Sequence, residues 1–254
     1  MPEAIFVPLY VLIFLYGLII GSFLNVVIYR VPKHENIVSV RSHCQKCDYQ
    51  LRWYDLVPLF SYIFLRGKCR NCGEKISPQY PVIEFSNGLL WLVTFLIKGV
   101  NVESLLYSLF FSALLALSII DFRTFEIPVG LNIFIGCLGV INLILNYRDW
   151  LNFLIGAVSV SGFLLLIYIV TKGRGIGGGD IKLMAAAGLL IGVKYIILSL
   201  CLGCVIGAIT HVIRMRVSGA EKVLAMGPYL SIGIFLSTLF CGGLIDWYLS
   251  LFIF

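Results

Sequence analysis

Charge is the scarcest ingredient of this sequence. Asp, Glu, Lys and Arg together make up 13% of the 254 residues, hydrophobic residues make up 60%, and the mean hydropathy is +0.99. A water-soluble domain of this length cannot hide so much apolar surface, so the surroundings must be partly lipid. Other absences narrow the reading. There is no low-complexity tract and no convincing internal repeat, so neither a disordered tail nor repeat stacking organises the chain. Residues 173–178 formally match GxGxxG, but no acid occurs between Asp180 and Glu221 to hold a ribose, and no strand–helix unit surrounds the match. No Gly-Lys-Ser/Thr follows the glycines, which removes a phosphate loop. The first apolar stretch lacks a basic leader and ends in "NVVIYRVP" without a small-residue cleavage site, so it is expected to stay as an anchor.

What is present is a series of long apolar runs. A hydrocarbon core about 30 Å thick asks for about 20 apolar residues per helical crossing. Candidate spans are 5–29, 80–97, 103–120, 127–145, 151–171, 181–212 and 229–252. The 181–212 run is too long for one upright helix and breaks naturally at Gly192–Val193–Lys194, giving about eight spans. The sequence therefore predicts an all-α polytopic membrane protein with about eight transmembrane helices and one small polar loop domain. With the N-terminus outside, 16 of the 19 basic residues fall on one side and only Lys98, Arg148 and Lys194 on the other. Cytoplasmic loops carry such an excess of Lys and Arg, so the basic side is expected to be cytosolic. The net charge of +6 is then read as topology and contact with anionic membrane lipid, with no nucleic-acid partner expected.

Residues 30–79 form the one sizeable polar segment. Within it lie "CQKC" (Cys44, Cys47) and "CRNC" (Cys69, Cys72), separated by 21 residues. Paired CxxC knuckles bring four thiolates into tetrahedral reach of one zinc. A cytosolic loop is reducing territory, where structural disulfides are rare. A segment with so few aliphatic residues cannot build a large core, so a structural zinc is expected to supply its folding energy. Four reduced cysteines in a loosely ordered loop are the alternative. His43 adjoins a complete set and is read as a bystander. Cys201 and Cys204, in "CLGCVIG", are read as small residues that let helices pack closely, and Cys137 and Cys241 likewise. The expected division is 1–29 as the first transmembrane helix, 30–79 as the zinc-binding loop and 80–254 as the membrane core.

Ionisable residues inside a membrane are expensive and usually functional. Glu84, Asp121, Asp180 and Asp246 lie within or at the ends of apolar spans. Asp246, beside Trp247 and Tyr248, reads as an interfacial belt residue. Asp121 ends the third span and Asp180 begins the sixth, which places both at the cytosolic side at similar depth. Two carboxylates brought close cannot both ionise, so they would share a proton. That equips a site for aspartyl hydrolysis: the ionised acid activates water and the protonated one polarises the carbonyl. Gly177 and Gly179 would leave room for an extended peptide beside the acid. A flexible hinge with a capping Asp is the competing reading of the glycine run.

Several ordered motifs together resemble one family, the type IV prepilin peptidases, which are bifunctional leader peptidases and N-methyltransferases of the wider GxGD class of membrane aspartic proteases. "GSFLNVVIYRVP" (21–32), the two CxxC pairs, "SPQYPVIEFSNG" (77–88), "DFRTFEIP" (121–128), "GGGDIKL" (177–183) and "MGPYLSIG" (226–233) carry the resemblance along nearly the whole chain. Gln79 stands where an arginine is common. The resemblance implies Asp121 and Asp180 as the catalytic pair, with Gly177, Gly179 and Lys182 in the active-site loop. It implies S-adenosylmethionine as methyl donor, with Glu84 and Gly88 as methylation-linked residues. It implies prepilin or pseudopilin substrates, whose short basic leader is cut at the cytosolic face of the bacterial inner membrane. Leader recognition would use scattered acids such as Glu35, Asp48, Asp55, Glu74 or Glu126. The alternatives are a peptidase without methyltransferase activity, a proton-coupled transporter using the aspartates, and a thiol–quinone oxidoreductase using the CxxC pairs.

Overall fold

The computed structural model describes residues 3–218 and 224–243. Its helices are α1 (Glu3–Arg30), α2 (Phe60–Phe64), α3 (Gln79–Lys98), α4 (Val102–Thr124), α5 (Val129–Leu145), α6 (Trp150–Val170), α7 (Gly178–Ile191), α8 (Val193–Ser218) and α9 (Gly227–Phe240). No strand occurs among the described residues; two isolated antiparallel bridges lie in the polar loop. Apart from the short α2, each helix occupies one of the apolar runs seen in the sequence. Five segments are long and apolar enough to cross a membrane: Val7–Lys33, Gln79–Lys98, Val102–Thr124, Tyr147–Val170 and Val193–Val217. α7 and α9 have 14 residues each. At about 1.5 Å per residue they rise about 21 Å, short of the hydrocarbon thickness. Residues 219–223, with Lys222, and 244–254, with Asp246 and most of the end of the last expected span, lie outside the described residues.

The break expected near residue 192 is there, and its chemistry is plain. Gly192 adopts φ +80, a conformation that L side chains rarely take, and it closes α7. The Asn152 side chain of α6 then caps the restart, its Oδ1 accepting from Val193 N at 3.1 Å. A β-carbon at Gly192 would come within 2.5 Å of the Asn152 amide nitrogen, so the break admits only glycine.

The chain divides between Ser112 and Ala113, inside α4, into two compact units. In the first, α1 lies against α3 through small residues. A β-carbon on Gly17 would meet Gly88 Cα at 2.8 Å, and one on Gly21 would meet Glu84 Cα at 2.8 Å. Gly17 and Gly21 sit four apart, on one face of the helix, and allow the backbones to touch. Polar side chains tie the same seam: Asn87 Nδ2 donates to Gly17 O at 2.7 Å and Asn25 Nδ2 to Tyr80 O at 3.2 Å. Ser112 Oγ donates to Asn87 Oδ1 at 2.7 Å and accepts from Trp91 Nε1 at 2.9 Å.

In the second unit α7 is the central element, with Leu183, Met184, Ala187 and Leu190 fully buried. α5 and α6 pack against it. Gly156 of α6 approaches α7 so closely that a β-carbon would sit 2.6 Å from Gly188 O. Asn142 of α5 donates to Leu190 O at 2.9 Å. α8 and α9 pair through Gly203 and Gly233 and a buried Ser199–Ser237 hydrogen bond of 2.6 Å. The outer faces remain apolar: Leu154, Ile155 and Val158 of α6 and Val205, Ile209 and Ile213 of α8 are exposed. Helices that are apolar all round yet unburied require lipid around them.

Candidate functional site

The polar loop folds around its cysteines. Each CxxC pair makes the same turn. Cys44 N donates to Tyr49 O and Asp48 N to Cys44 O, both at 2.9 Å; Cys69 N donates to Glu74 O at 2.7 Å and Gly73 N to Cys69 O at 3.0 Å. Asp48 (φ 53) and Gly73 (φ 70) occupy equivalent left-handed positions, one residue past the second cysteine. The bridges His43–Gln50 and Lys68–Lys75 close the two turns at the same offset. The result is two copies of one knuckle, and their four thiol sulfurs lie within 4.8 Å of one another. Cys44 Sγ and Cys72 Sγ are 3.8 Å apart, and Cys47 Sγ and Cys69 Sγ 4.0 Å. A tetrahedron with zinc–sulfur bonds of about 2.3 Å has edges of about 3.8 Å, so this donor set fits zinc in number, type and spacing. Two of the four thiols are shifted toward the thiolate, while Cys72 is pushed up to about 12, with burial and its neighbouring thiols raising it. A backbone hydrogen bond from Tyr49, then the Asn71 amide, brings the Cys47 thiol down to about 7. Backbone hydrogen bonds from Cys72 and Asn71 lower Cys69 as well. His43 Nδ1 faces Arg41 O at 3.2 Å, outside the set.

Two residues organise this loop: Arg30, which the sequence did not single out, and Asp55, expected instead among the acids of leader recognition. Arg30, buried at the end of α1, donates to Val40 O at 2.8 Å and Asn36 O at 3.1 Å and so folds the chain back on itself. Asp55 is buried, takes Arg70 Nε at 2.8 Å and accepts from Arg52 N at 3.2 Å. Glu74 pairs with Lys46. Asp55 and Glu74 are therefore occupied within the loop, whereas Glu35, Asp48 and Glu126 are exposed.

Glu84 and Gly88, on α3, belong to the α1–α3 seam. Glu84 is buried; its Oε2 accepts from Leu59 N at 2.8 Å, and Ser22 of α1 donates to the same carboxylate. Leu59 holds φ 60, costly for a leucine, so the Glu84 bond fixes a strained turn of the loop against the helix pair. A β-carbon on Gly88 would meet Leu18 and Phe14 at 2.8 Å.

The second unit holds both aspartates. Asp121 lies in the last turns of α4 and is buried; its Oδ2 accepts from Gly227 N, the first residue of α9, at 2.9 Å. A β-carbon on Gly227 would stand 2.7 Å from that oxygen. This explains the glycine of "MGPY": the helix start, with Pro228 behind it, must come within hydrogen-bonding distance of a carboxylate. Asp180 lies in the first turn of α7 and is buried, and its Oδ1 has no hydrogen-bond partner. The two acids are near enough for the Asp121 charge to act on Asp180. The glycines divide their work. Gly177 lies beside the Asp180 carboxylate, where a β-carbon would approach Oδ2 at 3.1 Å. Gly178 faces open space. The room beside Gly179 is filled by Ile127, whose Cβ would be 2.8 Å from an added β-carbon. Gly179 thus docks the "DFRTFEIP" segment onto the start of α7, a packing role in place of the access expected of it. Lys182 is exposed.

One further polar residue was not apparent in the sequence. Asn132, in the first turn of α5, is buried with neither amide atom hydrogen-bonded. It lies on the buried face of α5, between the Ile127–Gly179 contact and the Gly139–Leu189 contact. A lone asparagine near the start of a helix carries no signal by itself; only the tertiary register shows that its amide is stranded. Cys201 and Cys204 are exposed on α8.

Known proteins similar to this chain come from one family. Residues 15–97 match the bacterial peptidase A24 N-terminal domain, and residues 108–212 match the type IV leader peptidase family. A Bacillus subtilis protein named prepilin leader peptidase/N-methyltransferase is 32% identical over 244 residues, covering 94% of this chain and 98% of its own length. Proteins of the same name from Aeromonas salmonicida (31% identical, 94% of this chain and 93% of theirs) and Pseudomonas putida (33%, 88% of each) are similar. No solved structure matches.

Proposed function

The chain belongs to the type IV leader peptidase family and is a membrane enzyme, and from that premise we propose that it cuts the basic leader from type IV prepilins or pseudopilins with Asp121 and Asp180, then N-methylates the new terminus. The observation that carries the reading is a free oxygen on a held acid: Asp121 is anchored by Gly227 N–H and Asp180 by Gly177 N–H, while Oδ1 of buried Asp180 is left free. Buried polar atoms are nearly always paired, and a stranded carboxylate oxygen is poised for a water or a substrate.

In the proposed reaction the pair carries one proton. The ionised carboxylate takes a proton from water as the hydroxide oxygen adds to the scissile carbonyl carbon. The protonated carboxylate delivers its proton to the carbonyl oxygen. The tetrahedral diol then collapses: the C–N bond breaks, the leaving nitrogen takes a proton from one carboxyl, and a carboxylic acid forms from the diol as the other acid recovers its proton. Gly177 and Gly178 leave the approach to Asp180 open for an extended backbone, with Lys182 exposed one turn further on.

The sidedness follows from the distribution of basic residues. With the eight spans read from the sequence, the cysteine loop and both aspartates fall on the cytosolic face of the bacterial inner membrane, where a prepilin leader joins its apolar helix. The division into 1–29, 30–79 and 80–254 is kept as a functional one; the compact units cut the chain elsewhere, at Ser112. Zinc, held by Cys44, Cys47, Cys69 and Cys72, would supply folding energy and no chemistry. S-adenosylmethionine would supply the methyl group. Gly88 is packed against Phe14 and Leu18, and Glu84 is engaged by Leu59 and Ser22, so neither presents a free surface to a donor. Their methylation-linked role is therefore positioning, through the Glu84 tether on the loop.

The test is an incubation of the purified chain with a prepilin and S-adenosylmethionine, followed by the mass of the product. Loss of the leader plus one methyl group is expected. Asp121→Asn and Asp180→Asn should each abolish leader removal; full cleavage by either variant would overturn the assignment. Cleavage without the added mass would leave a peptidase alone.

A further inference from the structure

Beside the cysteine knuckles the first unit carries a cavity of about 390 Å³ that neither the zinc nor the proposed reaction uses. Its walls include Tyr62 of α2, Arg66, Lys68, Lys75 and Ser77. The cavity has a fixed frame. Gly67 (φ +66) backs directly onto the Tyr62 ring, where a β-carbon would lie 2.9 Å away, and Ile76 N donates to Gly67 O at 2.8 Å. Three cations line it and no acid does, although Glu74 next to Lys75 in the chain is close enough to feel that lysine. Of the loop's four acids, Asp55 is taken by Arg70 and Glu74 by Lys46. Arg66, Lys68 and Lys75 form no salt bridge among the described residues.

A second feature adjoins the first. α2 turns Phe60, Ile63 and Phe64 outward; Phe64 is 82% exposed. An isolated helical turn that holds two phenylalanines and an isoleucine in water is unfavourable, and the same side chains at a bilayer surface are anchors. Ser77 and Pro78, which also line the cavity, lead directly into α3, a helix long and apolar enough to cross a membrane, and so bring the cavity to the start of that span.

We propose that this surface is a binding site for an anionic phospholipid: the headgroup phosphate enters the Arg66–Lys68–Lys75 cavity while Phe60, Ile63 and Phe64 sink between acyl chains. Charge complementarity selects the headgroup, and the apolar turn selects a lipid over a free anion. The basic leader expected of the substrate would be repelled by the same cavity. The site holds the loop down on the membrane and is independent of the peptidase reading.

The full chain in zwitterionic micelles, given a phosphatidylglycerol with a photoreactive acyl chain, should crosslink within residues 58–68. A phosphatidylcholine probe should label that peptide roughly tenfold less. Arg66→Gln/Lys68→Gln/Lys75→Gln should lower the phosphatidylglycerol labelling roughly a hundredfold, at about 1 kcal/mol per basic residue converted at 1.4 kcal/mol per decade. Phe60→Ser/Phe64→Ser should lower labelling with both lipids. Limited proteolysis checks that the loop stays folded; if the triple variant is cut faster, Arg66→Gln alone is read in its place, with a fivefold loss expected. Equal labelling by the two lipids, or undiminished labelling in a folded charge variant, overturns the proposal. Displacement of the label by millimolar inorganic phosphate, with no effect of Phe60→Ser/Phe64→Ser, overturns it in favour of a free-anion site.

Discussion

Glu84 and Asp180 are both buried carboxylates near the starts of helices, one in each compact unit, and they are provided for in opposite ways. Glu84 has Leu59 N–H and Ser22 at its oxygens; Asp180 has one oxygen with nothing. A fully bonded buried acid holds structure together, and removing it strands its donors. An acid with a free oxygen holds little, and its cost is tolerated where chemistry needs it. The same contrast separates the cysteine loop, where every donor is drawn inward to one point, from the aspartate pair, where one side stays open.

The largest effect should come from Asp180→Asn. Cleavage should fall by about 10³-fold or more, while the thermal unfolding midpoint stays within about a degree or rises, since one uncompensated charge is gone. Glu84→Ala should do the reverse: it should lower stability by about 1–3 kcal/mol, read from the unfolding midpoint in detergent, and should free the 57–60 turn to proteolysis. If Glu84→Ala leaves stability unchanged, the contrast fails. Gly227→Ala comes next. Its β-carbon would stand 2.7 Å from Asp121 Oδ2, so cleavage should drop about 10²-fold without loss of expression; near-normal turnover would show that Asp121 does not need that N–H.

The loop can be tested separately. Chelation, or Cys69→Ser, should make residues 30–79 protease-sensitive while the membrane helices persist. Metal affinity should rise with pH, because binding displaces thiol protons. The Cys47 thiol, lowered to about 7 by Tyr49 and Asn71, keeps its thiolate above that pH and loses it below, so zinc release should steepen as pH falls from about 7. A titration of bound zinc between pH 8 and pH 5 reads this; flat retention would mean that the thiols do not hold the metal. The smallest effect on stability is expected at Asn132. Asn132→Leu removes two unpaired buried polar atoms and should be neutral or stabilising, with a fall in cleavage if the amide meets the substrate backbone.

The long apolar runs could be read directly, because a helix in lipid must be apolar over its whole length, and even the interruption at Gly192 was visible as a glycine followed by a polar break. The knuckle cysteines were legible because paired CxxC spacing is a local pattern that suits one metal ion. The structural parts of Arg30, Asp55 and Asn132 were not legible. Each is an ordinary residue type whose part is set by groups distant in the chain or by the turn of a neighbouring helix. The glycine of "MGPY" was visible as part of a motif, but its reason, a carboxylate 106 residues earlier, was not.

The sequence by itself determined which segments can live in lipid, which four sulfurs can share a metal and which acids stand at helix ends, since these depend on composition and short-range spacing. Only the tertiary structure decided which acid is bonded and which is left open, why Gly179 must be bare against Ile127, and that three loop cations surround one cavity. Those are matters of distance between residues far apart in the chain, fixed by helix packing and close backbone approach at glycines.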